Sequence, residues 1–161
     1  MVDLSRRRLF TRKAARNDTL RLPWLNAPAR FTDQCTQCGE CLKACDTQII
    51  VKGDGGFPQV DFSIDECTFC YQCASACPEP LFAAEQNEPW QAKAVINEQC
   101  LAQQNVECRS CGEMCDSMAI QFRLEVGRVA QPTLETNQCN GCGACVSVCP
   151  TSSINVSNHV A

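Results

Sequence analysis

Residues 139–150 read CNGCGACVSVCP, a run in which four cysteines stand at spacings of two, two and three residues. The same C-x2-C-x2-C-x3-C spacing recurs at residues 35–45 (CTQCGECLKAC) and 67–78 (CTFCYQCASACP). A variant, C-x7-C-x2-C-x3-C, occupies residues 100–115. The four groups begin 32, 33 and 39 residues apart, so an internal repeat organises almost everything after residue 30.

This spacing predicts iron–sulfur ligation. Three thiolates at two-residue gaps can wrap one face of a 4Fe–4S cluster, while the fourth cysteine points towards a second cluster, so such groups work in pairs. The three regular groups each predict a 4Fe–4S cluster, and the third group, in which Cys100 is displaced, predicts a fourth. The predicted cofactor and metal ligands are Cys35, Cys38, Cys41, Cys45, Cys67, Cys70, Cys73, Cys77, Cys100, Cys108, Cys111, Cys115, Cys139, Cys142, Cys145 and Cys149.

Disulfides and zinc are the alternative uses of so many cysteines. Disulfides would be favoured in an oxidising compartment, but the chain shows no secretory signal and its two-residue gaps are poor disulfide geometry. Structural zinc sites use C-x2-C pairs separated by a longer loop, and not triplets with a fourth cysteine three residues later. The pairing of the groups is left open, because 21, 22 and 23 residues separate successive groups. A tandem arrangement (first with second, third with fourth) is preferred to a nested one.

The 161 residues include 16 cysteines and only 6% aromatic residues, which leaves little for a conventional core. Alternating apolar residues around glycines predict two hairpins, at residues 49–62 and 119–135. Short helices are expected after each fourth cysteine. The predicted fold class is α+β, with bacterial-type two-cluster ferredoxin folds, (βαβ)2, repeated in tandem behind a basic N-terminal arm. Because metal binding is coupled to folding, the cluster-free chain is expected to be largely unfolded.

The predicted units are a basic arm (residues 1–30), a first ferredoxin-like module (residues 31–88) and a second one (residues 89–161). The arm carries eight basic and two acidic residues, whereas the rest carries six basic and sixteen acidic ones. The arm could be a solvated tail, dock onto an acidic or membrane surface, or form an amphipathic helix that binds a partner protein. Nucleic-acid binding is not expected, because no aromatic residues interleave with the arginines.

Two features of the sequence bear on export and membrane insertion. Residues 5–10, SRRRLF, look like the core of a twin-arginine export signal, but charged residues interrupt the apolar stretch that such a signal needs. Export is therefore not expected. No segment is long and apolar enough to span a bilayer, although peripheral membrane contact stays open.

Taken together, SRRRLF, CTQCGECLKAC, CTFCYQCASACP, CLAQQNVECRSCGEMC and CNGCGACVSVCP resemble the NapF family, the ferredoxin-type accessory proteins of the periplasmic nitrate reductase system. The resemblance covers essentially the whole chain. It implies a cytoplasmic protein with several 4Fe–4S clusters that acts on the precursor of the catalytic subunit, NapA, before export, in assembly or reduction of its cluster. Asp46 and Asp116 depart from ferredoxins, which usually have proline after the fourth cysteine.

The chain is not expected to be an enzyme, because no Ser/His/Asp grouping is readable and the single histidine, His159, is expected in a solvated tail. Phe69 and Tyr71, inside the second group, are expected to shield a cluster from water. The alternative function is a plain low-potential electron carrier between a reductase and an oxidase, which needs the clusters but not the arm.

Overall fold

The computed structural model describes residues 19–158, within which the regular elements are short. The helices are α1 (Phe31–Gln34), α2 (Glu40–Lys43), α3 (Gln72–Ser75), α4 (Ser110–Glu113) and α5 (Ala144–Ser147). The strands are β1 (Ile50–Lys52), β2 (Pro58–Val60), β3 (Ala92–Ile96), β4 (Ile120–Arg123), β5 (Gln131–Leu134) and β6 (Ile154–Asn158). Across this part of the chain, no helix has the length and apolar character needed to cross a membrane.

Four of the helices carry the third cysteine of a group, and the expectation that helices follow the fourth cysteine is wrong. Each of α2, α3, α4 and α5 ends before the fourth cysteine of its group. In three groups the chain turns directly after that cysteine, and Gln48, Met118 and Ser152 take left-handed φ angles of 57°, 52° and 49°. A helix cannot continue through such residues, because the left-handed conformation is unfavourable for L-residues.

Antiparallel strand pairs account for the rest of the regular structure. Strands β1 and β2 pair with Ile50 opposite Val60, and β4 and β5 pair with Ile120 opposite Leu134. These pairs confirm the two predicted hairpins. Strands β3 and β6 also pair over five residues, which brings residues 92–96 next to the end of the described chain.

The segment from residue 19 to residue 30 packs against the first module. Leu20, Leu22 and Trp24 are buried, and an isolated bridge joins Leu25 to Phe82. The expected basic arm therefore includes a packed stretch at its C-terminal end. Residues 1–18 of that arm, and His159, lie outside the described residues.

The two modules meet where Phe62 packs on Gly143. The backbone amide of Cys67 donates to the carbonyl of Cys142 (2.8 Å) across this junction. Within the second module, the Trp90 indole donates to the carbonyl of Asn140 (3.0 Å). Gly143 has φ +85°, and a Cβ atom there would lie 2.1 Å from Cδ1 of Phe62. Glycine is thus required at this junction for both its backbone angle and its lack of a side chain.

The junction can be tested with two matched glycines. Gly39 occupies the same place in its cysteine group and has φ +79°, but a Cβ atom added there would meet nothing within 4 Å. Gly39→Ala should therefore lower the free energy of unfolding only by the strain of the left-handed conformation, about 1–2 kcal/mol. Gly143→Ala should lower it by about 1–3 kcal/mol more, because the added methyl group clashes with Phe62.

The measurement is denaturant unfolding of the cluster-loaded variants under nitrogen, followed by the visible absorbance of the clusters. We expect the midpoint of Gly143→Ala to lie clearly below that of Gly39→Ala. Equal midpoints would show that the Phe62–Gly143 contact does not hold the modules together.

Candidate metal centres

The sixteen cysteines, all of them free, come together as four quartets. Site A consists of Cys35, Cys38, Cys41 and Cys77; site B of Cys67, Cys70, Cys73 and Cys45; site C of Cys100, Cys108, Cys111 and Cys149; and site D of Cys139, Cys142, Cys145 and Cys115. Sites A, B and C each line a small cavity, and in site D the other three thiols all raise the pKa of Cys145. Each site thus takes three cysteines from one group and one from its neighbour.

Left-handed residues curl the regular loops around their cavities. Gln37, Phe69 and Gly141, each directly before a second cysteine, have φ angles of 56°, 54° and 77°. The residues directly after the second cysteines, Gly39, Tyr71 and Gly143, are also left-handed. Alternating the backbone hand in this way turns successive cysteines towards one centre. The third group lacks this pattern at Arg109, which has φ −134°.

Aromatic packing holds the left-handed Phe69 and Tyr71 in place. The Trp24 ring meets Tyr71 edge-on at 5.1 Å and Phe69 at 6.2 Å between ring centroids. The Tyr71 hydroxyl donates to the carbonyl of Ala83 at 2.6 Å. Trp24 and Tyr71 line the cavity of site B, whereas Phe69 bridges Trp24 to Trp90. Tyr71 is therefore placed to shield this site, as expected, and Phe69 acts one layer further out.

The longer loop of the third group rests on the β4–β5 hairpin. The Gln131 side chain donates to the carbonyl of Ala102 (2.7 Å), and Asn105 accepts from the amide of Val129 (3.0 Å). Asn105 itself is left-handed, with φ 66°. This anchoring buries Cys100 and places it in site C with Cys108 and Cys111. Contacts with the β4–β5 hairpin, and not the left-handed loop residues of the regular groups, therefore bring Cys100 into its quartet.

Burial and mutual repulsion make the metal-free thiols reluctant to ionise. Burial is the main cause that raises the pKa of Cys73 and Cys145 to about 12, and neighbouring thiols add to the effect. The same causes raise the pKa of Cys41 and Cys111 to about 11. Since thiolates are the species that ligate metal, these quartets need a cationic centre to hold four of them together.

The donor set fits a 4Fe–4S cluster better than a single ion. All four donors of each site are sulfurs, as this cluster requires. A tetrahedral zinc site with Zn–S distances of about 2.3 Å would hold its sulfurs within about 4 Å of one another. Among residues 19–158, no three His, Cys, Asp or Glu side chains converge closely enough to hold one ion. The quartets instead surround a volume, which is the arrangement that a cubane needs.

The four sites follow one another in the order A, B, D, C. Cys41 of site A is among the charges that raise the pKa of Cys73 in site B. Sites B and D meet at the junction, where Cys67 is hydrogen-bonded to Cys142. Cys111 of site C in turn raises the pKa of Cys145 in site D. Each site therefore has its neighbour in the series within electrostatic reach.

Comparisons with known proteins show iron–sulfur domains of the ferredoxin type in this chain. Residues 34–80 match the family model of a 4Fe–4S dicluster domain, and residues 105–160 match that of the LdpA Fe–S cluster-binding domain. The ferredoxin-type protein NapF of Haemophilus influenzae is 48% identical over 139 residues, which are 86% of this chain and 79% of that protein. The protein of the same name from Escherichia coli K12 is 44% identical over 156 residues, covering 95% of this chain and 94% of the relative. The match thus spans both modules.

Cluster removal tests how far the fold depends on these sites. Helices of one turn are not stable alone, and the buried set is rich in alanine and cysteine. We therefore expect chelation of iron under denaturing conditions, followed by return to buffer, to give a chain with little far-UV circular dichroism. Anaerobic addition of iron and sulfide should restore the spectrum. A cooperative thermal transition of the iron-free chain like that of the loaded protein would contradict the expectation.

Proposed function

The chain belongs to the NapF family of ferredoxin-type proteins, and from that premise we propose that it is a polyferredoxin-type accessory protein with one 4Fe–4S cluster in each of sites A to D. We further propose that it acts in the cytoplasm, in maturation of the nitrate reductase catalytic subunit NapA before export. Its task there is assembly or reduction of the NapA cluster. The observation that carries the proposal is the series of four all-cysteine sites along one chain.

The fold that we propose for each half is the two-cluster ferredoxin unit, (βαβ)2, used twice in tandem. Two strand pairs of the second half support it, since β3 pairs with β6 around the inner hairpin β4–β5. In the first half, hairpin β1–β2 matches the inner pair, and the bridge from Leu25 to Phe82 stands where β3 and β6 pair in the second half. The exchange of fourth cysteines within each half agrees with this unit.

When bound, the clusters supply one-electron redox chemistry. The protein's part is to hold them in sequence, to exclude water from them and to set their charge environment. Trp24 and Tyr71 cover site B, and backbone amides are directed at several cysteine sulfurs, for example from Ala94 to Cys139 (3.4 Å) and from Ser153 to Cys149 (3.3 Å). Such bonds stabilise thiolate ligands in their bound form.

Charge favours a partner with a basic docking surface. Residues 31–161 carry sixteen acidic and six basic side chains, and each oxidised 4Fe–4S cluster with four thiolates adds a charge of about −2. For the basic residues within residues 1–18 of the arm, we propose a second docking surface that is acidic or membrane-associated. A plain electron carrier is the second candidate, favoured by the unbroken series of sites, which needs no arm to conduct electrons.

Metal analysis tests the cofactor part of the proposal. Anaerobically purified protein should contain about sixteen iron and sixteen sulfide per chain, as four 4Fe–4S clusters require. Because Cys100 lies in site C, Cys100→Ser should lower both to about twelve. Unchanged content in this variant would remove Cys100 from the ligands, and zinc in place of iron would overturn the redox function.

Partner binding separates the accessory role from the carrier role. Residues 1–18 can be removed without touching Leu20, Leu22 or Trp24, which pack on the first module. We expect the full chain to retain NapA precursor in a pull-down and the truncated chain to lose it, with iron content unchanged. Replacement of Arg6, Arg7 and Arg8 by glutamine is the charge-specific companion variant. If the full chain does not bind the precursor, the accessory role is wrong and the carrier role is favoured.

A further inference from the structure

The fourth cysteines of the four groups differ from one another in the side chains that surround their sulfurs. A hydroxyl side chain stands two residues after Cys45 (Thr47, 3.6 Å from the sulfur) and two after Cys115 (Ser117, 3.4 Å). Cys77 instead has a carboxylate residue, Glu79, at that place. The four sulfurs are therefore not equivalent as cluster ligands.

Cys149, in site C, is the most hydrogen-bonded of the four. Ser153 Oγ lies 3.2 Å from its sulfur, the Ser153 amide donates to it at 3.3 Å, and Thr151 Oγ1 lies 3.8 Å away. Thr151 also donates to Ser153 Oγ at 3.1 Å, which orients the Ser153 hydroxyl proton towards the sulfur.

Site D provides a comparison in which burial is matched. Sites C and D each contain two buried and two half-buried cysteines. Site D also has hydrogen-bonded sulfurs, since the Ala94 amide donates to Cys139 (3.4 Å) and Ser117 lies beside Cys115 (3.4 Å). The residue four positions after Cys115 is Ala119, so site D has no counterpart of the Ser153 hydroxyl. The two sites therefore differ in this buried hydroxyl and not in the solvent exposure of their ligands.

Hydrogen bonds to the sulfurs of a cluster favour an added electron, because they stabilise the extra negative charge.

We propose that site C holds the cluster of higher reduction potential in the second module and that the buried Ser153 hydroxyl sets this difference through Cys149. Ser153 is 1% exposed, so water cannot substitute for its hydroxyl. The proposal rests on the proposed function, since it needs clusters in both sites.

With clusters held by the cysteines of sites C and D, one electron from a low-potential donor would be retained at site C in preference to site D, and no co-reactant besides that donor would be needed. Thr151 is a positioning residue in this scheme, because it acts on the sulfur chiefly through Ser153.

The test compares two single hydroxyl deletions, Ser153→Ala at site C and Ser117→Ala at site D. Each variant is titrated anaerobically with dithionite and followed by EPR, after iron and sulfide analysis. We expect each variant to make a different EPR component, from a different cluster, harder to reduce. The equilibrium constant for reduction of that cluster should fall severalfold, up to roughly tenfold for Ser153→Ala. In the wild-type protein, the component sensitive to Ser153 should be the more easily reduced of the two.

Thr151→Val serves as the second variant at site C and should move the same component by a smaller amount, even if Ser153→Ala fails to hold its cluster. The proposal is overturned if the component sensitive to Ser117 is the more easily reduced, or if neither Ser153→Ala nor Thr151→Val moves any component. Fewer than four clusters in the wild-type protein would instead contradict the proposed function.

Discussion

The structure depends on the cost of gathering four thiolates around one buried cavity. Burial is the largest cause that raises the pKa of Cys73 and Cys145 to about 12, and the neighbouring sulfurs add repulsion. Iron removes this cost by supplying positive charge where the sulfurs converge. The helices, of one turn each, and the strand pairs of three to five residues are too short to assemble against that repulsion. The metal centres therefore take the place that a large apolar core has in other domains.

Sequence spacing predicted both inner hairpins and singled out the sixteen cysteines that converge in the structure, because both depend on local periodicity. It misplaced the helices, since the turn after the fourth cysteine is set by left-handed residues such as Gln48 and Met118, which have no strong sequence signature. It also left the pairing of groups open, because similar gaps separate all of them. Only the three-dimensional structure combines Cys77 with the first group and Cys149 with the third.

The hydroxyl residues near the sulfurs were missed for a different reason. Thr47, Ser117 and Thr151 stand at one fixed offset after their cysteines, so the signal is present in the sequence once the repeats are aligned. Ser153 carries no such repetition, and its burial and its contact with Cys149 emerge from the turn at Ser152. Likewise, the packing of Trp24 on Tyr71 joins residues 47 positions apart, beyond the reach of local patterns.

The exchange of fourth cysteines within each half has a consequence for durability. Cys111, inside α4, belongs to site C, and Cys115, two residues after α4 ends, belongs to site D, so one short stretch of chain joins the two sites. Oxygen or a chelator that dissolves one cluster frees an anchor of the other. Damage within a half is therefore self-accelerating, and repair requires both clusters to be rebuilt on the same backbone.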